Sequence, residues 1–412
     1  MASYKRLKFA CYSVNITMAA IGSLSPLLFL TFRSLYGISY SLLGLLVLIN
    51  FFTQLGIDLL FSFFSHKFNI SKAVKLTPVL SVIGLALYSL APVLFPECVY
   101  AGLVLGTVIF SAASGFAEVL ISPVIAAIPA KDPDREMSKL HSIFAWGVVF
   151  VAVFTTVFLH IFSQKSWQIL AAILTLIPLT SIILFSGCTI PKMSTPEKAS
   201  GALKIFKNKN VLLCVAGIFL GGASECTMSQ WCSSYIEQAL GLPKIWGDIA
   251  GVAMFSVMLG LGRSLYAKRG KNIYRVLTLG SLGAFLCYFI ASVSMSPIVS
   301  LIACAFTGFC VSMLWPGSLI AVADKLPSAS VVVYALMAAG GDLGASVGPQ
   351  LIGVITDGII GNSTFAQLAA NMSMTPDQLG MRFGMIIAAV FPFIATIMFR
   401  IITKSKSTEE VA

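Results

Sequence analysis

Apolar stretches of about twenty residues recur down the whole of this chain, and they limit its fold more than any other feature. A helix needs about 20 mostly apolar residues to cross the hydrocarbon core of a bilayer. Of the 412 residues, 58% are hydrophobic and 10% are charged, against about 25% charged in soluble domains. A soluble core could bury a few such helices, but not a dozen. The expected fold class is therefore an all-α membrane protein of about twelve transmembrane helices, embedded in a lipid bilayer.

The spans read as 9–32, 38–64, 73–95, 99–129, 139–163, 167–188, 209–236, 247–267, 273–294, 297–322, 330–358 and 383–403. Gly and Pro inside them are tolerated where neighbouring helices satisfy the backbone. The basic start (Lys5, Arg6, Lys8) leads into an apolar stretch with no small-residue cleavage site, which reads as an uncleaved first span.

A net charge of +11 raises nucleic acid as a partner, but the basic residues lie in short loops between apolar runs. With twelve spans both termini share one side, and that side receives every one of the 27 Lys and Arg except Arg33, Lys165, Lys244 and Arg382. Such asymmetry marks a cytoplasmic face, so cytoplasmic termini and a multi-pass protein of the cell (plasma) membrane are expected. The nine cysteines lack metal-ligand spacing and read as small buried residues. Neither a metal nor a cofactor is expected.

The longest polar stretch, Thr189 to Asn210, divides the chain into a six-helix half over 1–190, a linker over 191–209 and a second half over 210–412. The halves echo each other at a constant offset of 193 residues: Gly115-Phe116 and Pro123 against Gly308-Phe309 and Pro316, then Ala145 and Gly147 against Ala338 and Gly340. Parallel six-helix repeats are one arrangement used by transporters.

Four acids fall inside the spans away from their ends: Asp58, Glu118, Glu225 and Asp342, with no Lys or Arg expected near mid-membrane to neutralise them. A charge at the bilayer centre is a functional-site hypothesis by default, and a carboxyl in apolar surroundings holds a proton more readily. Ser111, Ser114, Glu118 and Ser122 share one helical face, a polar stripe suited to a water-filled cavity. Around Glu225, Gly221 and Gly222 permit close approach, while Gln230 and Trp231 offer an amide and a ring face to a sugar-like solute. Trp231 and Tyr235 read equally well as an interfacial aromatic belt. Asp342, between glycines, could relay a proton, bind a cation or fix a structural hydrogen bond. Asp58 reads as a structural or gating partner of a loop cation such as His66 or Lys67. His141 reads as interfacial, and Trp146 and Trp315 could face either cavity or lipid.

Where the major facilitator superfamily carries Asp-Arg-x-Gly after its second span, this chain has His66-Lys67-Phe68-Asn69. The second-half counterpart, Gly262-Arg263 with Lys268, Arg269 and Gly270, follows the pattern more closely. On these motifs and its two halves the chain resembles that superfamily over its whole length, which implies the major facilitator fold. Arg263 then either reaches a helix C-terminus or an acidic partner at the cytoplasmic end, or snorkels. Within the superfamily, Glu118, Leu140-His141, and Glu225 with Trp231 resemble fucose-permease-like sugar:proton symporters. The Gly-x-x-x-Gly-Pro run of drug:proton antiporters is missing from the fifth span and stands in the eleventh, at Gly344 to Pro349.

The expected function is secondary active transport of a small polar solute, a sugar being the favoured class, by symport with a proton (or sodium). Efflux of an amphipathic compound or lipid, and a non-transporting membrane sensor, are the alternatives. No phosphate-binding Gly-x-x-x-x-Gly-Lys-Ser/Thr run occurs. The three histidines (His66, His141, His160) have no i,i+4 pair, so an enzyme is not expected. A monomer is.

Overall fold

A computed structural model of the chain describes residues 2–64, 67–129, 133–191, 208–326 and 331–405. Among these residues it holds twelve helices long and apolar enough to span a membrane: α1 (Tyr4–Leu27), α2 (Tyr40–Phe61), α3 (Ile70–Leu94), α4 (Val99–Ala126), α5 (Ser142–Phe162) and α6 (Gln164–Phe185), then α7 (Lys209–Gln238), α8 (Lys244–Arg269), α9 (Ile273–Val293), α10 (Pro297–Lys325), α11 (Val333–Ile360) and α12 (Pro376–Lys404).

Two spans begin five or more residues earlier than the sequence suggests, and each carries in the added turns a basic residue that reads as a loop signal. In α1, Arg6 lies within the helix and donates to the carbonyls of Ile183 (2.6 Å) and Leu184 (3.0 Å) at the end of α6. A helix C-terminus lacks donors for its last carbonyls, and the guanidinium supplies them. In α12, Pro376 stands in the first turn and a Thr375–Gln378 capping box starts the helix. Arg382 is buried one turn later, donating to the carbonyls of Ser292 (2.9 Å) and Ser294 (2.8 Å) at the end of α9.

Contacts group the chain into two compact units, Met1–Tyr36 with Ile49–Lys198, and Gly37–Leu48 with Ala199–Ala412. In the first, α1 is packed against α5 and α6 and pinned by polar side chains. Asn15 Nδ2 donates to the Leu140 carbonyl at 3.0 Å, and Ser13 Oγ to the Ile177 carbonyl at 3.2 Å. Leu7, Cys11 and Val14 share a core with Phe61, Val74, Ile121 and Phe185.

In the second unit α7 lies against α11. A methyl group on Gly344 would overlap the Phe219 carbonyl, so only glycine allows this approach. Small residues let membrane helices pack closely where no hydrophobic force drives them together. Tyr235 Oη donates to the Ala291 carbonyl (2.7 Å) and Tyr288 Oη to the Ser224 carbonyl (2.8 Å), tying α7 to α9. The first turn of α2 belongs to this unit too: the Asp357 carboxylate on α11 accepts from the backbone N–H groups of Tyr40 (3.1 Å) and Ser41 (2.6 Å), and Asp377 accepts from Tyr40 Oη (3.0 Å).

Candidate functional site

In the first unit, α2 and α4 meet at Gly115, where an added methyl would lie 2.8 Å from Ile57 Cβ and 3.2 Å from Gln54 Cα. This contact brings together two polar faces. Asn50, Gln54 and Asp58 recur at four-residue spacing along α2, and Ser111 Oγ donates to Asn50 Oδ1 at 2.6 Å. Gln54 and Asp58 are buried. Ser114 Oγ is buried with no hydrogen-bond partner among the described residues, and Ser122 is half-buried. Glu118, one turn beyond Gly115, stays exposed although it lies well inside a transmembrane helix. Asn50 and Gln54 carry no charge and so escape a search for membrane acids. Their i,i+4 spacing with Asp58 is the signal that marks them.

In the second unit the acids of α7 and α11 converge with an arginine. Glu225 Oε1 accepts from Arg263 Nη2 at 3.4 Å, while Glu225 Oε2 is buried without a hydrogen-bond partner among the described residues. The expectation that no cation lies near the mid-membrane acids is therefore corrected: Arg263 stands inside α8, and its long side chain reaches inward. Gly262, beside it, faces Ser312 so closely that a methyl there would overlap the Ser312 hydroxyl. Arg263 Nε also donates to the Ser312 carbonyl at 3.0 Å. That carbonyl would ordinarily accept from the residue four positions on, which is Pro316 and has no N–H. The proline of α10 thus opens an acceptor, and the arginine of α8 fills it.

Asp342 is buried on α11, where its backbone carbonyl accepts from Ser346 Oγ at 2.7 Å. Glu225, Asp342 and Arg263 all lie within electrostatic reach of Cys226. The indole of Trp315 rests on bare backbone beside them: a methyl on Gly341 would overlap its ring, and one on Gly222 would come within 3.2 Å of it. Trp315 is half-buried in this arrangement, packed against α7 and α11.

Trp231 takes a different place from the one the sequence suggests for it. Its ring is 0% exposed, and its Nε1 donates to the Pro349 carbonyl at 2.8 Å. The face offered to a solute is used to pack α7 on α11, and neither a cavity nor an interfacial position holds it. Gln230, its neighbour, is half-buried. Lys67 is exposed with its ammonium 5.1 Å from the Phe64 ring centre. His66 and the side chain of His141 lie outside the described residues. Other acids in the spans of this unit include Asp357, the cap on α2, and Asp248. Asp248 is fully buried against Ser233 Oγ and the Lys244 ammonium (3.1 Å), within a π-helical turn over Gly247–Ala253. Among the described residues no three His, Cys, Asp or Glu side chains cluster as metal ligands.

No curated protein matches the chain in sequence. Among solved structures, a bacterial homolog of the human lysosomal transporter Spinster superposes with a TM-score of 0.74 at 12% identity, covering 98% of this chain and 97% of its own. The D-xylose–proton symporter gives 0.71 at 16% identity (95% and 97% covered), and the E. coli fucose:proton symporter 0.63 at 14% (98% and 100%). A nucleoside transporter and peptide transporters share the fold as well, so the fold leaves the solute open. The sequence profile of the Major Facilitator Superfamily matches residues 10–349, and the chain belongs to that superfamily of membrane transporters.

Proposed function

We propose that this protein is a secondary active transporter that moves a small polar solute, a sugar being the favoured class, by proton symport with alternating access. The observation that carries this reading is the pairing of Glu225 with Arg263. One carboxylate oxygen faces the guanidinium and the other is buried without a partner among the described residues. A proton taken up by Glu225 removes the charge that attracts Arg263, while the Ser312 carbonyl still holds it. Protonation therefore loosens the arginine from α7 while α10 keeps its hold on it. Such a change links proton binding to helix packing.

Trp315 and Asp342 support a sugar, because a flat ring face beside a polar group suits an alicyclic solute with hydroxyls. Gln230 stands in the same unit as a further hydrogen-bonding candidate, and Glu118, Ser114 and Ser122 form the corresponding set in the first unit. We place the termini on the cytoplasmic side, from the placement of the basic residues.

The test is reconstitution into vesicles with an imposed pH gradient. Uptake of a labelled sugar that follows the gradient is expected, with gradient-driven accumulation lost and binding retained in Glu225→Gln. If no sugar moved and a lipophilic cation left the vesicles instead, export of amphipathic compounds would replace this reading.

A further inference from the structure

A groove of about 600 Å³, with no acid in its lining, opens between α5 and α6 over the floor of α1. Its walls are Ile143, Trp146 and Phe150 on one side and Leu176 and Ile177 on the other. Trp146 is 70% exposed there. The two hydroxyls at its surface are already turned inward: Ser13 Oγ bonds the Ile177 carbonyl and Ser181 Oγ, and Thr180 Oγ1 donates to the Leu176 carbonyl at 2.8 Å. The groove thus offers no free hydroxyl donor to a polar solute. It lies along membrane-spanning helices, where the medium that fills an open furrow is hydrocarbon.

The end of the groove nearest the N-terminus is basic. Arg6 lies seven residues before Ser13 and so two turns away on the same face of α1. Its hydrogen bonds go to carbonyls and the Ser186 hydroxyl, with no carboxylate partner among the described residues. Lys139 precedes Ile143 by one turn and sits 5.3 Å from the Tyr12 ring centre. Lys8 pairs with Glu136 at 3.0 Å, and Glu136 also feels Lys139. Arg6, Lys8 and Lys139 therefore meet a single described carboxylate, and the described side chains of the rim carry a net positive charge.

We propose that this groove is a binding site for one acyl chain of an anionic phospholipid, whose phosphate sits against Arg6 and Lys139. The apolar walls select hydrocarbon, and the rim selects the sign of the headgroup. Each cation near the surface favours an anionic lipid by roughly fivefold, so a bound lipid differs from the surrounding bilayer in headgroup preference, not merely in contact.

Trp146 reports directly on the groove. The protein is reconstituted in vesicles in which either phosphatidylglycerol or phosphatidylcholine carries bromines midway along its acyl chain. The signal of Trp146 is the fluorescence difference between the native protein and Trp146→Phe. Brominated phosphatidylglycerol is expected to quench Trp146 at a several-fold lower mole fraction than brominated phosphatidylcholine. Lys139→Gln should reduce that preference about fivefold, and Thr180→Phe, which fills the groove, should lower quenching by both lipids. Equal quenching by the two lipids in the native protein, a preference untouched by Lys139→Gln, or quenching undiminished in Thr180→Phe would overturn the proposal. Arg6 is left intact because it also caps α6.

Discussion

Arg263 Nε donates to the Ser312 carbonyl at 3.0 Å, in the place of the N–H that Pro316 does not have. The arginine is thereby held at one nitrogen by the backbone of α10 while another faces Glu225. A guanidinium can serve both because its donors are fixed in a fork, which a lysine ammonium lacks.

This relationship predicts a specific coupling. Arg263→Ala should lower stability by about 1–3 kcal/mol, because it strands the Ser312 carbonyl and Glu225. In a Pro316→Ala background residue 316 regains its N–H, and the same substitution should cost about 1 kcal/mol less. Thermal melts of the four proteins in detergent measure the difference.

Glu225→Gln and Glu118→Gln test proton linkage in the two units separately. Each should keep solute binding while abolishing accumulation driven by a pH gradient. Counterflow exchange, which needs no gradient, is expected to persist. Unchanged accumulation in either variant removes that residue from the coupling role.

Gly341→Ala places a methyl group where the Trp315 ring lies. Displacing the ring should weaken solute binding by about tenfold, a loss of about 1.4 kcal/mol. Trp231→Phe should act differently: it removes the donor to Pro349, lowering thermal stability by about 1 kcal/mol with little effect on affinity. Binding titrations and melts on both variants separate a solute-facing ring from a packing one.

The Asp357 carboxylate accepts from two backbone N–H groups at the start of α2. Asp357→Ala should cost about 0.5–2 kcal/mol, the range of a lost N-cap, and Asp357→Asn less, since one amide oxygen still accepts. Melting temperatures of the two variants give the order.

Glu136 lies outside the twelve spans, and Lys8 holds its carboxyl below its ordinary range by hydrogen bonding, with Tyr12 helping. A carboxyl depressed in the folded state stabilises above its unfolded value, and that contribution disappears as pH falls through the folded one. The native protein should therefore melt above Glu136→Gln near neutrality, and the gap should close on acidification below the usual carboxylate range. A gap independent of pH would sink this assignment.

Much of the site could be read from residue type and spacing alone. Glu118, Glu225 and Asp342 stand out because a charge in an apolar run needs a reason. Arg263 follows from its resemblance to a family motif. Its contact with Glu225 joins residues on different helices, which no local pattern encodes. Trp231 and Trp315 are equally aromatic in the sequence. Only the glycines opposite Trp315 and the carbonyl opposite Trp231 decide which ring packs and which lies beside the acids. Asn50 and Gln54 lack charge, and they gain meaning only when Gly115 brings α4 against them.

The sequence by itself determined that this chain spans a bilayer about a dozen times. Helix length and apolarity are local quantities, and hydrocarbon admits few alternatives to a helix. It also placed the acids within those helices, because a residue's position along a span follows from counting. Tertiary structure alone decided which acid meets a cation and which carbonyl Arg263 takes over from Pro316. Those outcomes depend on helix rotation and close approach, which are set by small residues on neighbouring helices.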